Sequence, residues 1–221
     1  MKTITIQNNI EKNALRITDC GISKYSHTLQ LQHQLQEQRR NNEIPDTILI
    51  VEHLPVITLG ARKSANILYL DRNELEQKGI DVVEIRRGGG TTTHNPGQLV
   101  FYPILNLQKL SIGINEYVRK LEIIGIELLE QYNLECKTKK GFPGLWIGKK
   151  KIASIGVRVS RFITYHGMAI NIQNDLEIFD YIKPCGLDNI EITSLFKETS
   201  QKQSMTKIKE RLAKLLIKHF S

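Results

Sequence analysis

The chain has 221 residues, 40% of them hydrophobic and 24% charged, which fits one soluble α/β-sized domain able to bury a sizeable core. No run of about 18 apolar residues exists to span a bilayer, and Met1 to Gln7 lack both a signal-peptide core and an Arg/Ser-rich transit helix, so the expected compartment is the cytoplasm. The three cysteines (Cys20, Cys136, Cys185) are odd in number and widely spaced, against a disulfide framework, and the formal charge of +8 attracts acidic partners.

In chain order, residues 13–20 alternate weakly and read as a first strand. Residues 23–42 hold neither proline nor glycine, and Tyr25, Leu29, Leu31 and Leu35 sit among polar residues, which predicts an amphipathic helix capped by Ser23. Residues 46–52 and 56–60 are β-branched apolar runs expected in a buried sheet. A polar loop with Arg62 and Lys63 leads to a short helix over 71–78 ending at Gly79, and residues 81–85 read as a buried strand.

That strand feeds Arg86-Arg87-Gly88-Gly89-Gly90-Thr91-Thr92-Thr93-His94-Asn95-Pro96-Gly97-Gln98, the densest collection of glycine, hydroxyl, imidazole and guanidinium groups in the chain. Three glycines let a ligand lie against the main chain. The stretch matches neither the phosphate-loop nor the dinucleotide pattern, and its bland alternative is a glycine-rich hairpin turn. A strand resumes over 99–105, and apolar residues at three- and four-residue spacing predict a helix over 114–132 packed on the sheet. Residues 144–147, 151–159 and 162–172 read as an antiparallel meander, 174–189 as irregular, and a basic amphipathic helix with Ile208, Leu212, Leu215, Leu216 and Phe220 closes the chain. The architecture expected is α/β (α+β) around a mixed, largely antiparallel sheet.

Chemistry has few candidate seats. Cys185 stands between Pro184 and Gly186 in the irregular segment, and a nucleophilic thiol needs histidine or a cation beside it, for which the chain offers His94, His166 and the lysines at 149–151. Strict alternation puts Lys151, Ala153 and Ile155 on one face of their strand and Ile152, Ser154 and Gly156 on the other. The plain reading of Lys149 to Lys151, and of Lys207, Lys209, Arg211, Lys214 and Lys218, is a solvated surface. Zinc held by His94, His166 and Cys185 lacks any Cys-x-x-Cys or His-x-x-x-His pair to support it.

Taken together, three motifs resemble the lipoyl(octanoyl) transferases. Arg87 to Gln98 is similar to their Arg-Gly-Gly-x-x-Thr-x-His-x-Pro-Gly-Gln signature, Lys151-Ile152-Ala153-Ser154-Ile155-Gly156 with His166-Gly167-Met168-Ala169-Ile170-Asn171 to their lysine strand and following His-Gly strand, and Pro184-Cys185-Gly186 to their nucleophile segment. Thr93 and Asn95 depart from the usual tyrosine and glycine, which bears on the pocket wall and on the turn before Pro96. The resemblance implies a single biotin/lipoate protein ligase-type domain acting as a monomer. It implies Cys185 as nucleophile and Lys151 as its acid/base partner. The acyl site would comprise Arg87, Gly88, Gly89, Gly90, Thr91, Thr92, Thr93, His94, Ser154, Ile155, Gly156, His166, Gly167, Met168 and Ala169. It implies octanoyl-acyl carrier protein as donor and, as acceptors, lipoyl domains of 2-oxoacid dehydrogenases and the glycine cleavage H protein, with no metal or cofactor and neither membrane nor nucleic acid as partner. The nearest competing reading is an ATP-dependent lipoate or biotin protein ligase, which needs no cysteine. A basic nucleic-acid-binding protein is a third, with aromatics at 6% too few for an obvious stacking platform.

Overall fold

The computed structural model describes residues 15–186 and 190–221. Met1 to Ala14, residues 187–189 and the side chain of Cys185 lie outside the described part, so the expectations for the N-terminus and for the start of the first strand fall there. The elements in order are β1 (Arg16–Ser23), α1 (Tyr25–Arg40), β2 (Thr47–His53), β3 (Val56–Leu59), α2 (Arg72–Gln77), β4 (Asp81–Glu84), β5 (Thr92–His94), β6 (Gln98–Ile104), α3 (Ile114–Glu130), β7 (Gly144–Ile147), β8 (Lys150–Ser160), β9 (Ile163–Asn171), β10 (Glu191–Ile192), α4 (Leu195–Thr199) and α5 (Met205–Phe220). No helix among the described residues is long and apolar enough to cross a membrane.

The strands form two sheets. The larger runs β1-β2-β6-β9-β8-β10, with β7 on β8, and its pairs are antiparallel except β1 with β2 and β10 with β8. The smaller runs β4-β3-β5. This corrects the expectation that residues 46–52 and 56–60 share a sheet: Leu54 and Pro55 part them, and β3 pairs instead with β4 and β5. β4 is the edge of the smaller sheet, with exposed or half-buried residues rather than a buried run. β5 turns the second half of the glycine stretch into a strand. Ser23 ends β1 and does not cap α1, whose first turn follows Lys24 without a side-chain cap.

One face of the larger sheet carries α3 and α5. Tyr117, Leu121, Ile124 and Leu128 fall at three- and four-residue spacing and are fully buried against Leu99, Phe101, Ile152, Met168 and Ile170. Each such side chain contributes about 1.5–3 kcal/mol of burial. The other face carries α1, whose Tyr25 and Leu35 meet Leu49, Val51, Val100, Tyr102 and Ala169. α2, whose Asp71 and Glu74 form a capping box, packs Leu75 with Ile57, Leu59 and Ile80 beneath the smaller sheet.

Two lysines assigned to a solvated surface are buried. Lys209 on α5 is 6% exposed and bonds Asp19 and Glu52, each at 3.1 Å. Lys151 is 3% exposed. Lys150 pairs with Glu198 at 3.0 Å, and Lys218 with Glu127 at 2.9 Å.

Candidate active site

A bulge sets the site. β8 pairs Lys151 with Trp146 and Ala153 with Leu145, so Ile152 is the extra residue in the register. Ile152 and Ala153 therefore both enter the core on the α3 side. Lys151 swings to the opposite face, where its Nζ lies 5.2 Å from the centre of the Trp146 ring. Strict alternation had placed Lys151 with Ala153 and Ile155; the bulge instead puts it on the face of Ser154 and Gly156. Gly144 makes room for the lysine stem, because a Cβ there would stand 3.0 Å from Lys151 Cε and 2.2 Å from Ala153 O.

On this face lies a cavity with about 460 Å³ of space between atoms, the solvent at its open mouth included. It runs along β8 away from Lys151, beginning at Ser154, roughly 10 Å further up the strand. Of the expected site residues, Arg87, Gly88, Gly89, Gly90, Thr92, His94, Ser154, Ile155, Gly156, His166, Gly167, Met168 and Ala169 line it. Thr91 and Thr93 do not. Thr91 Oγ1 donates to Ala65 O at 3.3 Å and accepts from Ile67 N at 3.0 Å, and Thr93, on the other face of β5 from Thr92 and His94, donates to Val56 O at 3.1 Å. The departure at Thr93 therefore leaves the pocket wall untouched. Asn95 does not adopt a left-handed backbone, and its amide donates to Asp175 O at 2.8 Å, so no glycine is needed before Pro96.

Arg87 builds the glycine loop. Its Nη1 donates to Gly90 O at 2.8 Å and Gly88 O at 3.1 Å, and its Nη2 to Thr58 O at 2.9 Å and Thr58 Oγ1 at 2.7 Å. One buried guanidinium thus ties the loop to β3. Two glycines admit this close packing: a Cβ on Gly60 would meet Gly89 O at 2.2 Å, and one on Gly156 would meet Arg87 Cδ at 2.8 Å.

Three pocket residues escaped the sequence reading: Tyr25, Val100 and Tyr102. With His53 behind them, the aromatic groups form a buried cluster. Tyr25 stacks on His94 at 5.8 Å and 11°, Tyr102 Oη lies 2.7 Å from His53 Nε2, and Tyr25 Oη lies 3.5 Å from His166 Nδ1. Burial pushes the pKa of His53 down to about 4, that of His166 down to about 3 and that of His94 well below the ordinary histidine value. All three are neutral at physiological pH. His166 also holds φ +56, a left-handed backbone that costs about 1–3 kcal/mol and is held here by Gln32, whose Oε1 accepts from His166 N at 2.8 Å.

The segment of Cys185 reaches this site through its backbone. Residues 184–186 form a 3₁₀ turn packed on residues 63–65, and Lys183 N donates to Ile67 O at 3.1 Å. Ala65 is wedged between two glycines: a Cβ on Gly186 would meet its Cβ at 2.7 Å, and one on Gly90 would meet its O at 2.3 Å. The chain then returns as β10 beside Lys150 and Lys151, and Thr193 N donates to Lys151 O at 3.0 Å. The other thiols are unsuited to attack, since burial pushes Cys20 up to about 11 and Cys136 up to about 12.

This arrangement of sheets recurs in solved structures. P. falciparum LipL1 in complex with lipoate superposes with a TM-score of 0.74 at 16% identity, over 94% of this chain and 62% of that one. A putative lipoate protein ligase from T. acidophilum superposes with a TM-score of 0.71 at 13% identity, over 95% of this chain and 85% of that one. At such identities the likeness is one of fold, and the fold is that of the lipoate protein ligases. Sequence carries the assignment further. The lipoyl protein ligase A/B catalytic domain matches residues 24–217. An octanoyltransferase of Dictyoglomus turgidum is 39% identical over 197 residues, 89% of this chain and 83% of the relative. A mitochondrial octanoyltransferase of Arabidopsis thaliana is 38% identical over 209 residues, 94% of this chain and 89% of the relative. The chain belongs to the lipoyl protein ligase A/B family, and it is an acyltransferase of that family.

Proposed function

We propose that the chain moves an octanoyl group from an acyl carrier protein thioester to a lysine of a lipoyl domain, by way of a thioester on Cys185. The observation that carries the reading is the buried Lys151, turned by the β8 bulge onto the ligand face and adjoining β10, the strand that follows the Cys185 segment. The octanoyltransferases of D. turgidum and A. thaliana support the choice of acyl group.

The chemistry balances without an external energy source. The Cys185 thiolate forms a C–S bond to the acyl carbon while the carrier's C–S bond breaks, and the departing carrier sulfur takes a proton from Lys151. One thioester replaces another, so the group stays activated. The target amine then forms a C–N bond to that carbon, the electrons of the C–S bond return to Cys185 as thiolate, and the amine gives up one proton to the neutral Lys151 left by the first step, which restores the starting pair. The amide product makes the transfer favourable. A lysine serves this role as a compact cation with protons to give, which a guanidinium does not readily release. Lipoyl domains of 2-oxoacid dehydrogenases and the glycine cleavage H protein are the acceptors this reading names. The net charge of +8 favours encounter with acidic partners.

The test mixes the native chain with octanoyl-loaded acyl carrier protein and an unmodified lipoyl domain in the absence of ATP. The lipoyl domain is expected to gain the mass of one octanoyl group on its target lysine. A gain that appears only with ATP and free octanoate identifies a ligase and overturns the proposal.

A further inference from the structure

Two amide side chains beside the pocket have their orientation set by main-chain carbonyls. Asn171 Nδ2 donates to Thr193 O at 3.0 Å, and Gln98 Nε2 donates to Thr93 O at 3.3 Å. A carbonyl oxygen only accepts, so each amide must turn its NH₂ toward it. The remaining contacts then follow. Asn171 Oδ1 accepts from Gln98 Nε2 at 2.8 Å, and Gln98 Oε1 faces His94 Nδ1 at 2.7 Å. Gln98 Oε1 carries no proton, so His94 Nδ1 must supply one. In a neutral imidazole the other nitrogen is then a bare lone pair.

His94 lines the pocket, stacked on Tyr25, with Nδ1 committed to Gln98. Nε2 is the nitrogen left to meet a ligand, and it meets it as an acceptor. An alkyl chain has no hydrogen-bond donor to offer. A primary amine attacking an acyl group does.

We propose, on the acyl-transfer reading above, that His94 Nε2 accepts an N–H of the incoming lysine amine, and that Gln98 and Asn171 are positioning residues that lock His94 in the tautomer this requires. The amine lone pair forms the C–N bond as the C–S electrons return to sulfur, and the proton lost by nitrogen goes to Lys151, which is neutral after loading. His94 aims the amine and gains no net charge. Its burial, which disfavours the imidazolium, suits an acceptor rather than a proton store.

The lock and the role are tested separately. In the ¹⁵N-labelled native chain near pH 7, long-range ¹H–¹⁵N correlation is expected to show His94 with a pyrrole-type Nδ1 and a pyridine-type Nε2; the reverse pattern, or an imidazolium, overturns the lock. His94→Phe keeps a ring against Tyr25 and removes the acceptor. It is expected to lower the rate of transfer from acyl-enzyme to a lysine amine, relative to the rate of acyl loading, by about tenfold to a hundredfold, the worth of one lost hydrogen bond. Equal slowing of both halves, or slowing of loading alone, overturns the role. Gln98→Leu, which leaves the imidazole in place, is expected to give mixed tautomers and the same selective loss. A single Nδ1–H tautomer with native transfer in that variant contradicts the relay. A native chain that takes up no acyl group overturns the transferase reading and the amine assignment with it, while the nitrogen shifts still decide the tautomer.

Discussion

Arg87→Lys is the perturbation that most directly probes how the glycine loop is held. The guanidinium reaches four acceptors on two segments, Gly88 O and Gly90 O on the loop and Thr58 O and Oγ1 on β3. A lysine keeps the charge, but its single ammonium cannot span both segments, so at least two charge-assisted bonds are lost. At about 1.5 kcal/mol each, the loss is about 3 kcal/mol. For a chain of this size that lowers the melting temperature by about 6–12 °C. Thermal unfolding of native, Arg87→Lys, Thr58→Val and double variants forms the assay. Thr58→Val should cost about 1 kcal/mol less in the Arg87→Lys background than alone, because its hydroxyl partner is already lost. A change within about 0.5 kcal/mol in Arg87→Lys, or strict additivity with Thr58→Val, would refute the claim that one guanidinium fastens the loop to β3.

Three other outcomes follow. His53 and His166, with folded pKa values of about 4 and about 3 against an ordinary 6.5, each take up a proton on unfolding at pH 5. Stability is therefore fully present above about pH 6.5 and falls as pH drops, by about 2 kcal/mol per histidine at pH 5, as urea unfolding at pH 7.5 and 5.0 would show; a flat profile between them contradicts the buried neutral assignment. Lys209→Met leaves Asp19 and Glu52 facing each other without their shared cation and is expected to cost about 3 kcal/mol in urea unfolding, whereas a neutral result would return Lys209 to the solvated surface. Lys151→Arg keeps the charge and loses proton transfer, so octanoyl transfer is expected to fall by about a hundredfold or more at saturating donor, and an unchanged rate removes Lys151 from the chemistry.

Periodicity made α3 and α5 legible, because their buried faces repeat at helical spacing within one segment. The three motifs likewise identified most of the pocket wall, since Gly88 to Gly90, Ser154 to Gly156 and His166 to Ala169 are contiguous stretches. What escaped was set by contacts distant in sequence. Tyr25 reads as one more apolar position of α1, and nothing near it signals that its hydroxyl end reaches His166 across 141 residues. The bulge at Ile152 arises from the register against β7, so alternation along β8 alone placed Lys151 on the wrong face. Lys209 sits among basic neighbours on α5, and only the approach of β1 and β2 supplies the carboxylates that bury it. The one local signal for the smaller sheet is Pro55, which ends pairing between the two apolar runs.

The central claim is that the acyl group rests on Cys185 between donor and acceptor. The native chain mixed with octanoyl-loaded acyl carrier protein, quenched without acceptor and mapped by peptide mass spectrometry, should carry one octanoyl group on Cys185, released by hydroxylamine as a thioester is. An octanoyl group on another residue, or an acceptor lysine modified at the native rate by Cys185→Ser, would contradict it.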